Sequence, residues 1–450
     1  MRRLVADGPW RRMARRQATL GPRADRSGMN HWLVDKAGRY LAAAVGPIGV
    51  AITHFGLALV LLRLLPPAAF GTFSVLLVAI QLSWGIWSAL LCAPLPVFLS
   101  RGDAAAREAG EGTLLRLNLH GAIIAVPVFA ALGLALDLPR FSAACFALFG
   151  AVALLRWFGR AFAYVHGRQA RTMMSDLLYS VVVIAVLALL VAGLGRDVEQ
   201  SCYLALLAGA TAGLLPFGRH YLARMGGWRP AVLRESLREY RTIWQGQSRW
   251  ALLGVMTTEA TANAHVYIVT AISGAAAFAP IAASALLLRP VNVAQNALAD
   301  FERPMLARAI GAGELASIPR SLLVFRLALI GIWLGTIAVG AGLFVWAPDL
   351  LFPPAYDLDF LIVAALLWAV FALLRLLQTP ESALLQAAGE FRDLAMASVW
   401  SALGSVIAVT GLVLLAGTLW SIGGIVAGAV VYLWWTWRFA RRWLRAAPTA

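Results

Sequence analysis

Residues 257–308 read TTEATANAHVYIVTAISGAAAFAPIAASALLLRPVNVAQNALADFERPMLAR. Two apolar runs flank a short small-residue segment, and each is about the length, roughly 20 residues, that a helix needs to cross roughly 30 Å of hydrocarbon. The runs are continuous rather than alternating. Backbone groups in lipid must be satisfied within the segment, so both runs are expected to be membrane-spanning helices joined by a tight turn. Their ionisable residues set them apart: Glu259 and His265 in the first, Arg289 in the second. A charge at the membrane centre costs roughly 2.5–3.5 kcal/mol on insertion scales, so such residues face a protein-lined cavity or one another.

The rest of the chain has the same character. Its 450 residues are 61% hydrophobic and only 13% charged, with a mean hydropathy of +0.76. A soluble domain carries about a quarter charged residues, so this is an all-α polytopic membrane protein. The net charge of +16 comes from arginines that punctuate the apolar runs. That pattern reports topology, and its partner is the membrane lipid headgroup rather than nucleic acid. Cys92, Cys145 and Cys202 lie in separate runs without CxxC spacing, so no disulfide framework, metal site or cofactor is expected.

Twelve spans follow, at 41–62, 73–99, 114–136, 141–163, 175–194, 201–222, 247–272, 277–300, 322–346, 358–379, 392–416 and 419–438. Arginine is concentrated in the tails and in every second loop, which puts both termini on the cytoplasmic side. Residues 1–38 read as a disordered basic tail with no signal-peptide core, and Met29 is a candidate alternative start. Residues 39–224 form a first six-span lobe and 247–440 a second, with a cytoplasmic tail at 441–450. Between the lobes, 225–246 reads as a basic amphipathic helix, with Val232, Leu233, Leu237, Tyr240 and Trp244 along one stripe.

The two halves overlay without a gap across their first hairpins at an offset of 208 residues, which sets Phe70 on Phe278 and Pro96 on Pro304. Both copies begin on the cytoplasmic side, so the repeat is parallel. Its pseudo-two-fold axis runs along the membrane normal, and folds of this kind bind substrate between their lobes. At 100° per residue Arg289, Asn292 and Asn296 share a face of span 8, and Glu259, Asn263 and Tyr267 share one of span 7. The offset lays Gln81, Trp84 and Ser88 on Arg289, Asn292 and Asn296. These stripes, with His54 in mid-span 1, are the candidate lining of a central cavity. Glu259 and Arg289 either face that cavity or pair with each other. Pro290 is expected to weaken the helix beside Arg289. Arg156, Arg160 and Arg375 stand at the cytoplasmic ends of their spans, where they would attract an anion or simply mark topology.

Three stretches carry a family resemblance. RLLPPAAFGTFSVLL at 63–77 resembles the turn after the first span of polysaccharide exporters. YIVTAISGAAAFAPIAASALLLRPV at 267–291 resembles the turn that opens their second half, and QAAGEFR at 386–392 their exit between spans 10 and 11. Together they resemble Wzx-type polysaccharide flippases of the multidrug/oligosaccharidyl-lipid/polysaccharide exporter superfamily. The resemblance implies a two-lobed, V-shaped, MATE-like carrier of the bacterial inner membrane. Such a carrier turns polyprenyl-diphosphate-linked oligosaccharide across the bilayer by alternating access, for cell-surface polysaccharide biosynthesis, with a polymerase or other export component as partner. Where the family often places an acid before the second-half turn, His265 or Tyr267 stands here. Two other readings remain open: a multidrug cation antiporter of the same superfamily, suggested by Glu259 and the 17 tryptophans, and a membrane glycosyltransferase or polymerase. The second would need a substantial outer loop carrying acidic or histidine groups, and none is expected.

Overall fold

A computed structural model describes residues 46, 49–96, 104–224, 230–346, 352 and 354–446. The tail at 1–38 with Met29, the start of the first span and the last four residues lie outside the described residues. Every regular element among the described residues is helical.

The helices follow in order. The first is α1 (Gly49–Leu64). Next come α2 (Pro67–Trp87), α3 (Ala104–Ala135), α4 (Arg140–Val165), α5 (Gln169–Ala188) and α6 (Val198–Ala212). Two shorter helices, α7 (Arg219–Arg224) and α8 (Pro230–Ile243), lead to the long α9 (Arg249–Ala285). The chain ends with α10 (Arg289–Ala312), α11 (Ile318–Trp346), α12 (Leu358–Ala388), α13 (Phe391–Ala416) and α14 (Ser421–Ala446). Ten apolar stretches are long enough to cross a membrane, and one of them, Arg249–Asn296, is 48 residues long. It folds over at Gly274 (φ 81°, ψ 167°), a conformation that costs a side-chain-free residue nothing. It therefore supplies two crossings, and with the shorter apolar α1 there are twelve apolar helical segments among the described residues.

Several boundaries differ from the sequence reading, each for a local reason. α2 begins at Pro67 rather than near residue 73, because proline fits the first helical turn, where its missing N–H is not needed. α12 runs on to Ala388 through Pro380, nine residues past the expected end, and stops where Gly389 takes a left-handed cap (φ 81°). Span 8 is not one helix. The chain tightens into a 3₁₀ turn at Leu286–Leu288, and α10 starts at Arg289 with Pro290 in its first turn. Pro290 has no N–H for the Leu286 carbonyl, and that carbonyl accepts from Arg289 instead. The expected weakness beside Arg289 thus takes the form of a helix restart.

The buried side chains fall into two main clusters. One is built mostly from α1 to α6, the other mostly from α9 to α14. Ala279, Ala283 and Leu286, from the arm after Gly274, pack with the first cluster, so the second-half hairpin reaches across to the first half. The seam between halves is α2 against α9. At the Gly274 end a Cβ on Gly71 would meet the Ala275 carbonyl oxygen at 2.1 Å, and further along a Cβ on Gly85 would meet Val255 Cγ1 at 2.9 Å. At the opposite end the Leu90 carbonyl accepts from Tyr240 Oη at 2.6 Å and from Ser248 Oγ at 3.2 Å.

Candidate functional site

α9, α10 and α12 line a half-open cavity of about 310 Å³. α10 presents Arg289, Asn292, Gln295 and Asn296, α12 presents Trp368, Phe371 and Arg375, and α9 contributes Asn263. The spacings i, i+3, i+6, i+7 on α10 and i, i+3, i+7 on α12 each describe one helical face. The aromatic wall is fixed from behind: Trp368 donates Nε1–H to the Ile281 carbonyl at 3.3 Å and meets the His265 ring edge-on with centroids 5.3 Å apart. Gln295 donates to Thr379 Oγ1 at 2.7 Å, and Thr379 donates to the Arg375 carbonyl at 2.7 Å. The Arg375 guanidinium lies 6.0 Å from the centre of the Phe371 ring.

Among the described residues no carboxylate lines this cavity, and neither Arg289 nor Arg375 forms an ion pair. Two guanidinium groups therefore face one small space with only amides, aromatics and aliphatic carbons around them. Both side chains are partly buried, so part of their hydration is lost without a carboxylate to replace it. A bound anion would turn that cost into affinity, and Arg offers phosphate a planar fork of donors.

The first half is arranged in the opposite way. Arg156 on α4 hydrogen-bonds Ser175 at 3.0 Å and pairs with Asp176 on α5, and Arg160 pairs with the other Asp176 oxygen at 3.1 Å. Asp176 is fully buried. Arg156 stacks over Tyr179 at 4.5 Å, and Arg160 over Trp157 at 4.9 Å. Trp157 lies parallel to Trp84 with centroids 5.0 Å apart and donates to Ser88 Oγ at 2.7 Å. Trp84 also stacks on His54, whose Nε2 lies 2.6 Å from Tyr179 Oη. The two positive charges here already share one carboxylate, and the rings are already stacked on each other.

The sequence-derived residues therefore separate into groups. Arg289, Asn263, Asn292 and Asn296 come together around the cavity, and Arg375 joins them instead of standing apart at a mouth with Arg156 and Arg160. Trp84 and His54 belong to the first-half network. Gln81 is exposed on α2. Glu259 does not line the cavity: its Oε1 accepts from Tyr267 Oη at 2.5 Å, and no pair with Arg289 forms among the described residues. Sequence reasoning misses Gln295, Trp368, Phe371 and Asp176. For Gln295 the signal is present, since it lies six residues beyond Arg289 on the same stripe.

No family model and no curated protein matches the sequence. Solved structures do match the fold. The inward-facing conformation of a multidrug resistance MATE family transporter of the MOP superfamily has a TM-score of 0.61 at 16% identity, over 92% of this chain and 96% of its own. An outward-facing conformation of a multidrug resistance MATE family transporter of that superfamily has a TM-score of 0.55 at 18% identity, over 91% and 94%. A MOP superfamily transporter from Pyrococcus furiosus, described as having a binding pocket of reverse polarity that suggests a different function, has a TM-score of 0.55 at 17% identity, over 91% and 95%. At such identities the likeness is one of architecture, and it spans nearly the whole of each chain: this polytopic membrane protein has the fold of the MATE family transporters of the MOP superfamily.

Proposed function

We propose that the chain is a transporter that moves a polyprenyl-diphosphate-linked oligosaccharide across the bacterial inner membrane by alternating access, with both termini cytoplasmic. The halves at 39–224 and 247–440 are the moving lobes. One observation carries this reading: Arg289 and Arg375 face a single cavity with no counter-charge among the described residues, beside the amides of Asn263, Asn292, Gln295 and Asn296. Diphosphate supplies the missing charge, and the amides and the Trp368 and Phe371 rings suit a sugar next to it. At about 310 Å³ the cavity is sized for the charged headgroup and its first sugar rather than for a whole oligosaccharide. The fold supports transport rather than enzymatic sugar transfer. The product of such a transporter would pass to a polysaccharide polymerase or another export component.

The multidrug reading is favoured by the descriptions of the structural neighbours, and Glu259 is the acid it would use. A cationic drug would have to approach two unpaired arginines, which weighs against it. The description of the Pyrococcus furiosus protein indicates that pocket polarity varies on this fold.

Reconstituted vesicles loaded with a fluorescent polyprenyl-diphosphoryl saccharide separate the two readings. The full chain is expected to move the label to the opposite leaflet, and Arg289→Gln and Arg375→Gln to abolish most of that movement. Export of a cationic dye that survives both substitutions, with no movement of the saccharide, would instead establish the drug reading.

A further inference from the structure

α8 and the turn after it carry two helical faces with different chemistry. Ser236, Glu239, Tyr240 and Ile243 recur at i, i+3, i+4 and i+7 and face the protein. Ser236 accepts from Arg116 Nε at 3.0 Å, Glu239 takes up Arg116 and Thr113, Tyr240 reaches Leu90, and Ile243 is buried. Arg234, Leu237, Arg238 and Arg241 recur at the same spacing on the other side, and all four are exposed. Trp244 continues that side, and Arg249 stacks over Trp250 at 4.8 Å. Leu237 is 52% exposed and Trp250 61%. Glu235 is the exposed carboxylate nearby, since Glu239 is already held by Arg116.

The position of this face limits what can cover it. The chain leaves one membrane span at Phe217 and enters the next at Arg249, so α8 joins two points at the membrane surface. A leucine and two tryptophans fringed by arginines suit the boundary between headgroups and acyl chains, where apolar groups bury and arginines meet phosphates. The net positive charge of the face selects anionic headgroups over zwitterionic ones.

We infer that the outward face of α8 is a binding surface for the anionic phospholipid headgroups of the leaflet on the α8 side. The site is separate from the transport cavity and independent of what that cavity carries. α8 is clamped to α3 and to the turn Ser88–Cys92 after α2, both in the first half, and runs through the turn Trp244–Ser248 into α9 of the second. Anionic lipid on this face therefore grips the connection between the two halves.

Hydrogen exchange of residues 230–248 in the full chain tests this, comparing vesicles of phosphatidylcholine with vesicles that also contain phosphatidylglycerol. Phosphatidylglycerol is expected to slow exchange in this segment several-fold, and added salt to reverse the effect. The combined variant Arg234→Gln, Arg238→Gln, Arg241→Gln should lose the difference while exchange elsewhere is unchanged. Arg441→Gln, Arg442→Gln, Arg445→Gln, an equal loss of charge at the end of α14, should retain it. Equal protection in both lipids would mean that the face meets the membrane, or a protein, through its apolar residues alone, and would overturn the proposal. So would protection by inorganic phosphate in phosphatidylcholine vesicles, which would indicate a simple ion site, or an unchanged response in the α8 variant.

Discussion

Gln295 on α10 donates its amide to Thr379 on α12 at 2.7 Å, and through this bond the helix that carries Arg289 is held to the helix that carries Arg375. Both residues are buried, so neither can replace the other with water at no cost. Replacing Thr379 by Val strands the Gln295 amide, a penalty of about 1–3 kcal/mol. Thr379→Val is expected to lower the thermal midpoint of the detergent-solubilised protein by several degrees. It should also weaken anion binding less than loss of either arginine does. Isothermal titration with inorganic diphosphate compares the two effects directly.

The arginines themselves should behave as a pair that shares one ligand. A hydrogen bond to a charged group is worth about 1.5–3 kcal/mol, so Arg289→Gln and Arg375→Gln are each expected to cut diphosphate affinity roughly 10- to 150-fold. The double variant should fall short of the product of the two, because each single variant already leaves a poorly neutralised ligand. Neither substitution should destabilise the unliganded protein, since each removes a cation that the fold leaves unpaired. Without ligand the variants should melt at or above the wild-type midpoint, whereas diphosphate should raise the wild-type midpoint and leave those of the variants nearly unchanged.

The opposite outcome is expected at Asp176. There the carboxylate answers Arg156 and Arg160 together, and breaking a buried pair by removing one partner typically costs about 3–5 kcal/mol. Asp176→Asn should therefore lose far more stability than either cavity arginine variant. Adding Arg156→Gln to it should recover part of the loss, because one uncompensated charge is then gone. A midpoint unchanged by Asp176→Asn would show that the two arginines do not depend on it.

These contrasts separate what the sequence reveals of the site from what packing adds. The crossings are legible because a run of roughly 20 apolar residues has one solution in lipid, and the 3.6-residue helical period alone places Arg289, Asn292 and Asn296 on one face. Arg375 is misplaced by a sequence reading that ends its helix at residue 379. Since α12 continues to Ala388, the residue lies well inside the helix and faces the cavity rather than the mouth. Asp176 reads as the edge of a span, and its meaning depends on Arg156 and Arg160, which only the packing of α4 on α5 brings to it. Trp84 reads as a candidate cavity residue because its stacking partners His54 and Trp157 come from other helices. Local periodicity shows which residues share a face, whereas tertiary packing decides whether a charge or a ring on that face is already taken.

The seam between halves gives the last test. Gly71 approaches the Ala275 backbone so closely that even a methyl group would collide with it, and a carbonyl oxygen at that point cannot move without shifting the turn at Gly274. Gly71→Leu is therefore expected to push α2 away from α9 at this end while leaving the contacts at Leu90 in place. In alternating access that end must part and close again, so the variant should favour the parted state. A cysteine at Thr72, a buried neighbour of the contact, reports the change. In a background lacking the three native cysteines, a membrane-impermeant maleimide should label Thr72→Cys slowly, and markedly faster when Gly71→Leu is added. Gly71→Ala should fall between the two, as expected for a steric seam. Equal labelling in all three would mean that the contact at Gly71 does not control closure of this end.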